Sequence, residues 1–135
     1  MPRYLADTSA WNRSRSVADR WARLIERNEL YVCTPVKLEL LYSARGRRDY
    51  ADFARDLTGF PVLELTGSVE AAALRTQALL AERSQHRGPT PTDLLIAATA
   101  EAHDAILLHY DRHFDAITRV TRQPAEWVAR RGSLD

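Results

Sequence analysis

With 135 residues, 45% of them hydrophobic, the chain is long enough for one real core and reads as a single domain over residues 1–135. No apolar run approaches the roughly 18 residues of a membrane span, and a net charge of +1 excludes a general nucleic-acid coat, so any basic surface must be local. A lone cysteine, Cys33, excludes an internal disulfide, and the opening MPRYLAD lacks the apolar stretch of a signal peptide, so a cytoplasmic location is expected.

Tyr4, Leu5 and Ala6 form a short apolar run of the kind that makes a buried parallel strand, and the run stops at Asp7. Thr8 and Ser9 are both good helix caps, so a helix should start directly after the carboxylate. That places Asp7 at the C-terminal edge of a sheet, where open α/β sheets bind ligands. Ser16 is expected to cap a helix reaching about residue 27, with Val17, Trp21, Leu24 and Ile25 as its apolar stripe. Residues 30–33 read as a second buried strand. Thr34 then caps a helix with Pro35 in its first turn, and Glu39 sits among Val36, Leu38, Leu40, Leu41 and Tyr42.

A break at residues 45–48 precedes a helix over about 49–57, a peripheral strand over 60–65 weakened by Pro61, and a long helix over about 68–83. Thr90-Pro91-Thr92-Asp93 fits a capping box, ahead of an apolar helix over 94–102. Residues 105–108 form the next buried strand, running into His109-Tyr110-Asp111. Residues 114–117 are expected as a turn and 119–121 as an edge strand, with Pro124 opening a short final helix that bears Trp127. Strands alternating with helices predict an α/β sandwich around a parallel sheet.

Four acids stand out by placement. Asp7 and Asp111 follow strands, Asp93 occupies the first turn of a helix, and Glu39 interrupts an apolar helix where burial without a partner is costly. Gathering four carboxylates is unfavourable, since two charges ~4 Å apart repel by roughly 4 kcal/mol at an effective dielectric of about 20. Such clusters are retained around a hard divalent cation, and an all-oxygen set selects Mg²⁺ or Mn²⁺. Such an ion lowers the pKa of a bound water and stabilises charge on a phosphoryl oxygen, which points to phosphodiester hydrolysis.

DTSAW after a strand, PVKLELL with its glutamate, TPTDLLIAATA and LLHYDRHFDAI together resemble, in order, the acidic motifs of PIN-domain ribonucleases, above all the VapC toxins of bacterial toxin–antitoxin pairs. The resemblance spans essentially the whole chain. It implies a PIN-like three-layer α/β/α sandwich with a mostly parallel sheet, Mg²⁺ or Mn²⁺ dependence, and cleavage of single-stranded RNA leaving a 5′-phosphate. By motif position Asp7, Glu39, Asp93 and Asp111 take the catalytic and metal roles, with Ser9 orienting the first acid. Asp115 is a candidate peripheral acid. The resemblance also implies inhibition by a VapB-type antitoxin and a toxin homodimer. His109 and His113 stand where many relatives have threonine or serine and aspartate.

Other readings carry less. A zinc motif of the helical kind needs a glutamate beside its first histidine, and next to His109 stands Tyr110. An aspartyl-phosphate enzyme needs a lysine, and Lys37, the only one, is two positions from Glu39 on a helix and faces elsewhere. A catalytically inactive RNA- or protein-binding module remains the alternative. Of the bases, Arg45, Arg87, Arg112 and His113 are candidates to hold RNA backbone, and Trp11 is assigned to core packing rather than base stacking. The helices carrying Trp21, Leu24, Ile25, Leu40, Leu41, Tyr42, Tyr50 and Phe53 are more apolar than peripheral helices need. A groove beside the acids is therefore expected to accept an amphipathic helix, with a cationic side chain drawn to the carboxylates.

Overall fold

The computed structural model describes residues 2–135. Strand β1 (Tyr4–Ala6) lies inside a four-stranded sheet of order β2-β1-β3-β4, with β2 spanning Leu30–Tyr31, β3 Ile106–His109 and β4 Ala125–Trp127. All pairings are parallel: Leu5 aligns with Tyr31 on one side and Leu107 on the other, and Leu107 aligns in turn with Ala125. Helices α1 (Thr8–Trp11), α2 (Ala18–Glu26), α3 (Thr34–Tyr42), α4 (Arg47–Leu57), α5 (Gly67–Ala81), α6 (Pro91–Ala102) and α7 (His113–Thr121) occupy the connections.

Side chains alternate across a strand, and that alternation divides the interior into two layers. Leu5 and Leu107 point into the larger one, with Val36, Leu40, Leu57, Leu80, Ile96, Phe114 and Ile117 from α3 to α7. Ala6 and Leu108 point the other way, against Ala10, Trp21, Leu24, Tyr110 and Val128. The result is the expected three-layer α/β/α sandwich around a parallel sheet.

The C-terminal third departs from the sequence expectation. Residues 114–117 are not a turn and 119–121 are not a strand; both belong to α7. Thr118, Val120 and Thr121 favour a strand by local propensity, but Phe114 and Ile117, three apart on one helix face, are both fully buried in the larger core layer. Tertiary burial overrides the local preference. The helix stops at Arg122, whose backbone is left-handed at φ 59°.

Nor does Pro124 open a helix. The Pro124 carbonyl accepts from the amide of Leu107 (3.1 Å), and Val128 donates to the His109 carbonyl (2.7 Å), so the segment completes β3 as the edge strand β4. A proline beside an edge strand removes no ladder bond. Arg20 of α2 clamps this edge, donating to the Val128 carbonyl (3.0 Å) and pairing with Glu126 (2.7 Å).

Smaller corrections follow from capping and from Pro61. Asp7 and Cys33, rather than Thr8 or Ser9 and Thr34, occupy the cap positions of α1 and α3. A 3₁₀ turn, Ser14–Val17, precedes α2. The second strand ends at Tyr31, and residues 60–65 add only an isolated bridge from Val62 to Val32.

Candidate active site

Beyond β1 the chain crosses to β2 on one side of the sheet, and beyond β3 it crosses to β4 on the other. The C-terminal ends of β1 and β3 therefore flank the switch point, where an α/β sheet opens a crevice. Asp7 leaves β1 there, its amide bonded to the Leu108 carbonyl (3.0 Å). Its carboxylate caps α1, accepting from the Ala10 amide (3.2 Å) and the Ser9 hydroxyl (2.6 Å). The same Ser9 oxygen accepts from the Tyr110 amide (2.8 Å), so one hydroxyl ties Asp7 to the end of β3.

Glu39 on α3 is half-buried, and its carboxylate accepts from the Thr8 hydroxyl (2.6 Å), a bond between residues 31 apart in sequence. Asp93 forms the expected capping box. Its carboxylate accepts from the Thr90 amide (2.9 Å) while the Thr90 hydroxyl accepts from the Asp93 amide (3.1 Å). Asp111 accepts from the His113 amide (2.9 Å) and faces the His113 ring (3.3 Å), while its own amide donates to Nδ1 of His109 (3.2 Å). His109 is only 1% exposed and lies against Phe114 and Trp127, and burial pushes its pKa below the ordinary imidazole value. It thus serves as a neutral prop for the loop that presents Asp111.

The acids feel one another in a chain. Asp7 is 4% exposed, and burial raises its carboxyl from 3.8 to about 7 against the opposing bonds from Ser9 and Ala10, with the charge of Asp93 adding to the rise. Burial likewise raises Asp93, opposed by its Thr90 bonds and reinforced by Asp111. Among the described residues no arginine, lysine or histidine pairs with Asp7, Glu39 or Asp93.

One buried carboxylate, Asp7, and the half-buried Glu39, Asp93 and Asp111, all presenting oxygen, fit a hard divalent ion in their chemistry. They do not form a closed cage. Among the described residues no three Asp, Glu, His or Cys side chains converge closely enough to hold a metal as they stand.

The remaining candidates separate. Asp115 turns to the C-terminal segment, accepting from Trp127 Nε1 (3.2 Å) and Arg131 (3.2 Å). Arg112 and His113 line a cavity beside Asp111, whereas Arg45 and Arg87 are exposed and line neither cavity on that side. Trp11 packs edge-on against Trp21 and Phe60, as a core residue does. Cys33 is buried, which pushes its thiol up to about 11 and makes it a poor nucleophile.

On the Glu39 side lies an apolar groove of about 570 Å³, walled by Pro35, Leu38 and Tyr42 of α3 with Leu65 and Leu95. Leu38 and Tyr42 are 63% and 91% exposed. The expected groove exists, but its walls differ: Trp21, Leu24 and Leu40 are buried in the core, and Tyr50 and Ile25 do not line it.

A parallel α/β/α sandwich with acids at its switch point is the construction of a PIN domain, and the PIN domain family model matches residues 4–120. Two curated proteins of Mycobacterium tuberculosis are similar over nearly their whole length. Ribonuclease VapC51 is 41% identical, with 98% of each chain covered, and ribonuclease VapC18 is 36% identical, with 97% of this chain and 98% of the relative covered. Within the PIN-domain family, this chain belongs to the VapC ribonucleases. Its fold matches the DNA-bound VapBC structure from Salmonella typhimurium with a TM-score of 0.76 at 18% identity, covering 96% of this chain and all of that one. VapBC2 from Rickettsia felis, also bound to DNA, matches with a TM-score of 0.75 at 17% identity over 92% of this chain and 97% of that one.

Proposed function

We propose that the protein is a Mg²⁺- or Mn²⁺-dependent endoribonuclease toxin in which Asp7, Glu39, Asp93 and Asp111 are the catalytic and metal-holding acids. The observation that carries this reading is the pair Asp7 and Asp93. Both are carboxyls with pKa values raised by burial, each feels a neighbouring acid, and among the described residues neither forms an ion pair, His113 acting on Asp93 only from a distance. A divalent ion bound among them would supply an acidified water and charge stabilisation at a phosphodiester oxygen.

The protein's own part is orientation. Ser9 and the Ala10 amide fix Asp7, Thr8 fixes Glu39, the Thr90 cap fixes Asp93, and His109 with His113 fixes the Asp111 loop. These bonds set where each acid starts from, and the carboxylates would still have to converge to close around an ion. The substrate is RNA, as for the VapC ribonucleases it resembles, and the working compartment is the cytoplasm. Among the described residues no helix is long and apolar enough to cross a membrane.

A VapB-type antitoxin is the partner, and the toxin is a homodimer. The VapBC complexes among its structural neighbours support a protein partner, and the exposed groove beside Glu39 is a surface that suits an amphipathic helix.

The test is ion removal. RNA cleavage should stop in EDTA and return with Mn²⁺, and millimolar Mn²⁺ should raise the melting temperature by mass action. Full cleavage in EDTA, or melting curves indifferent to Mn²⁺, would remove the metal from the mechanism.

A further inference from the structure

The acids have two chemically different shoulders. Apart from the apolar groove beside Glu39, two cavities of about 450 and 400 Å³ adjoin Asp111 and His113 and carry charged side chains in their walls. Arg112 and Arg131 line both, Arg13 lines the first and Arg119 the second. The Arg13 guanidinium lies over the Tyr110 ring, 4.6 Å from its centre, and its one hydrogen bond among the described residues is a long one to the Ser9 carbonyl (3.4 Å). Arg131 is held over the Trp127 ring at 5.4 Å and braced by Asp115. Among the described residues no carboxylate lies within ion-pair distance of Arg13, Arg112 or Arg119.

A guanidinium over an aromatic ring can still present N–H donors outward in a fork that matches a phosphate; among the described residues Arg13 has no carboxylate partner, and Arg131 keeps one N–H on Asp115. The cations are also in register with the acids. Arg13 leans on Ser9, the residue that orients Asp7, and Arg112 directly follows Asp111. Arg13, Arg112 and Arg131 face Asp111 and Asp135 in the first cavity, and in the second, where Arg131 pairs with Asp115, Arg112 and Arg119 have no carboxylate partner among the described residues.

We propose that Arg13, Arg112 and Arg131 hold the sugar-phosphate backbone of the RNA on the Asp111 side of the site, with Arg119 continuing the track into the second cavity. The inference rests on the ribonuclease reading and adds the path of the substrate to it. Arginines without carboxylate partners among the described residues favour a polyanion here over a protein helix, which suits the apolar shoulder. Such contacts position the strand and carry no sequence information.

The experiment measures binding of a short fluorescent single-stranded RNA by anisotropy, over a range of salt, using the full chain with Asp7→Asn so that the strand survives. Removing one phosphate contact should flatten the slope of log K against log salt by about 0.7. Arg13→Gln and Arg112→Gln should each do so, and should weaken unrelated sequences alike. Arg13→Lys should keep the slope, and Arg55→Gln, remote on α4 and paired with Asp52, should change nothing. Melting curves check folding; Arg112 is exposed, so its variant serves if Arg13→Gln is unstable. Unchanged slopes in folded Arg13→Gln and Arg112→Gln overturn the phosphate track, including the case where those variants instead weaken a protein partner. EDTA-sensitive cleavage by the otherwise wild-type chain would still uphold the ribonuclease reading. A wild-type chain that neither binds nor cuts RNA overturns both.

Discussion

Asp7 does two jobs whose demands conflict. As the cap of α1 it needs only an oxygen acceptor, which asparagine supplies nearly as well. As a buried charge it is costly, and the cost depends on pH. The folded-state value of about 7 lies above the ordinary 3.8, so between those values the unfolded chain has released its proton while the folded chain keeps it. The contribution of Asp7 to stability is therefore greatest below about pH 4, falls as pH rises, and levels off above about 7. At about 1.4 kcal/mol per pH unit the loss is no more than roughly 4 kcal/mol. In EDTA, Asp7→Asn should melt near wild type at pH 4 and several degrees higher at pH 8, and it should abolish cleavage. A melting difference that ignores pH would show that the carboxyl is not held protonated. Asp93→Asn makes a parallel case: the amide oxygen can still cap α6, so stability should hold while cleavage is lost. If most cleavage survives, capping alone explains Asp93.

At the scale of elements, the site depends on which strands end side by side. Much of that was legible in the sequence because the signals were local: an apolar run stopped by Asp7, a capping box at Thr90 and Asp93, a lone Glu39 on an apolar helix. The orienting role of Ser9 follows from the family resemblance, since its local signal is that of a helix cap and the cap is Asp7. Thr8 was read only as a cap, because its partner Glu39 lies across the fold and nothing in the adjacent residues announces the bond. Arg13 and Arg131 carry no local signal for a related reason: they line one cavity only once β4 and the segment after it lie beside β3, whereas Pro124 by itself suggests a helix start. The misreading of α7 has its own measurable consequence. A turn residue would tolerate truncation, whereas Phe114 is 0% exposed in the larger core layer. Phe114→Ala should therefore cost about 3–5 kcal/mol in chemical denaturation. A loss below about 1 kcal/mol would return Phe114 to the surface.

Seen whole, the molecule has an apolar shoulder that adjoins Glu39 and a cationic one that adjoins Asp111. An amphipathic helix seated on Leu38 and Tyr42 would lie beside Glu39, where an arginine or lysine from the same helix could reach the carboxylates. A cation there would compete for the position of the metal, so binding and inhibition would be one event. Expression of the chain alone should slow bacterial growth, and co-expression with the product of the neighbouring upstream gene should restore it and yield a complex without ribonuclease activity. Tyr42→Asp places a charge in the groove without touching an acid of the site. It should still cut RNA when purified, yet be poorly captured by the partner, so growth should stay slow even in co-expression. Rescue of Tyr42→Asp as complete as that of wild type would move the partner off this groove. A lone wild-type chain that is abundant, soluble and as harmless as Asp7→Asn would sink the toxin reading itself and leave a binding module in its place.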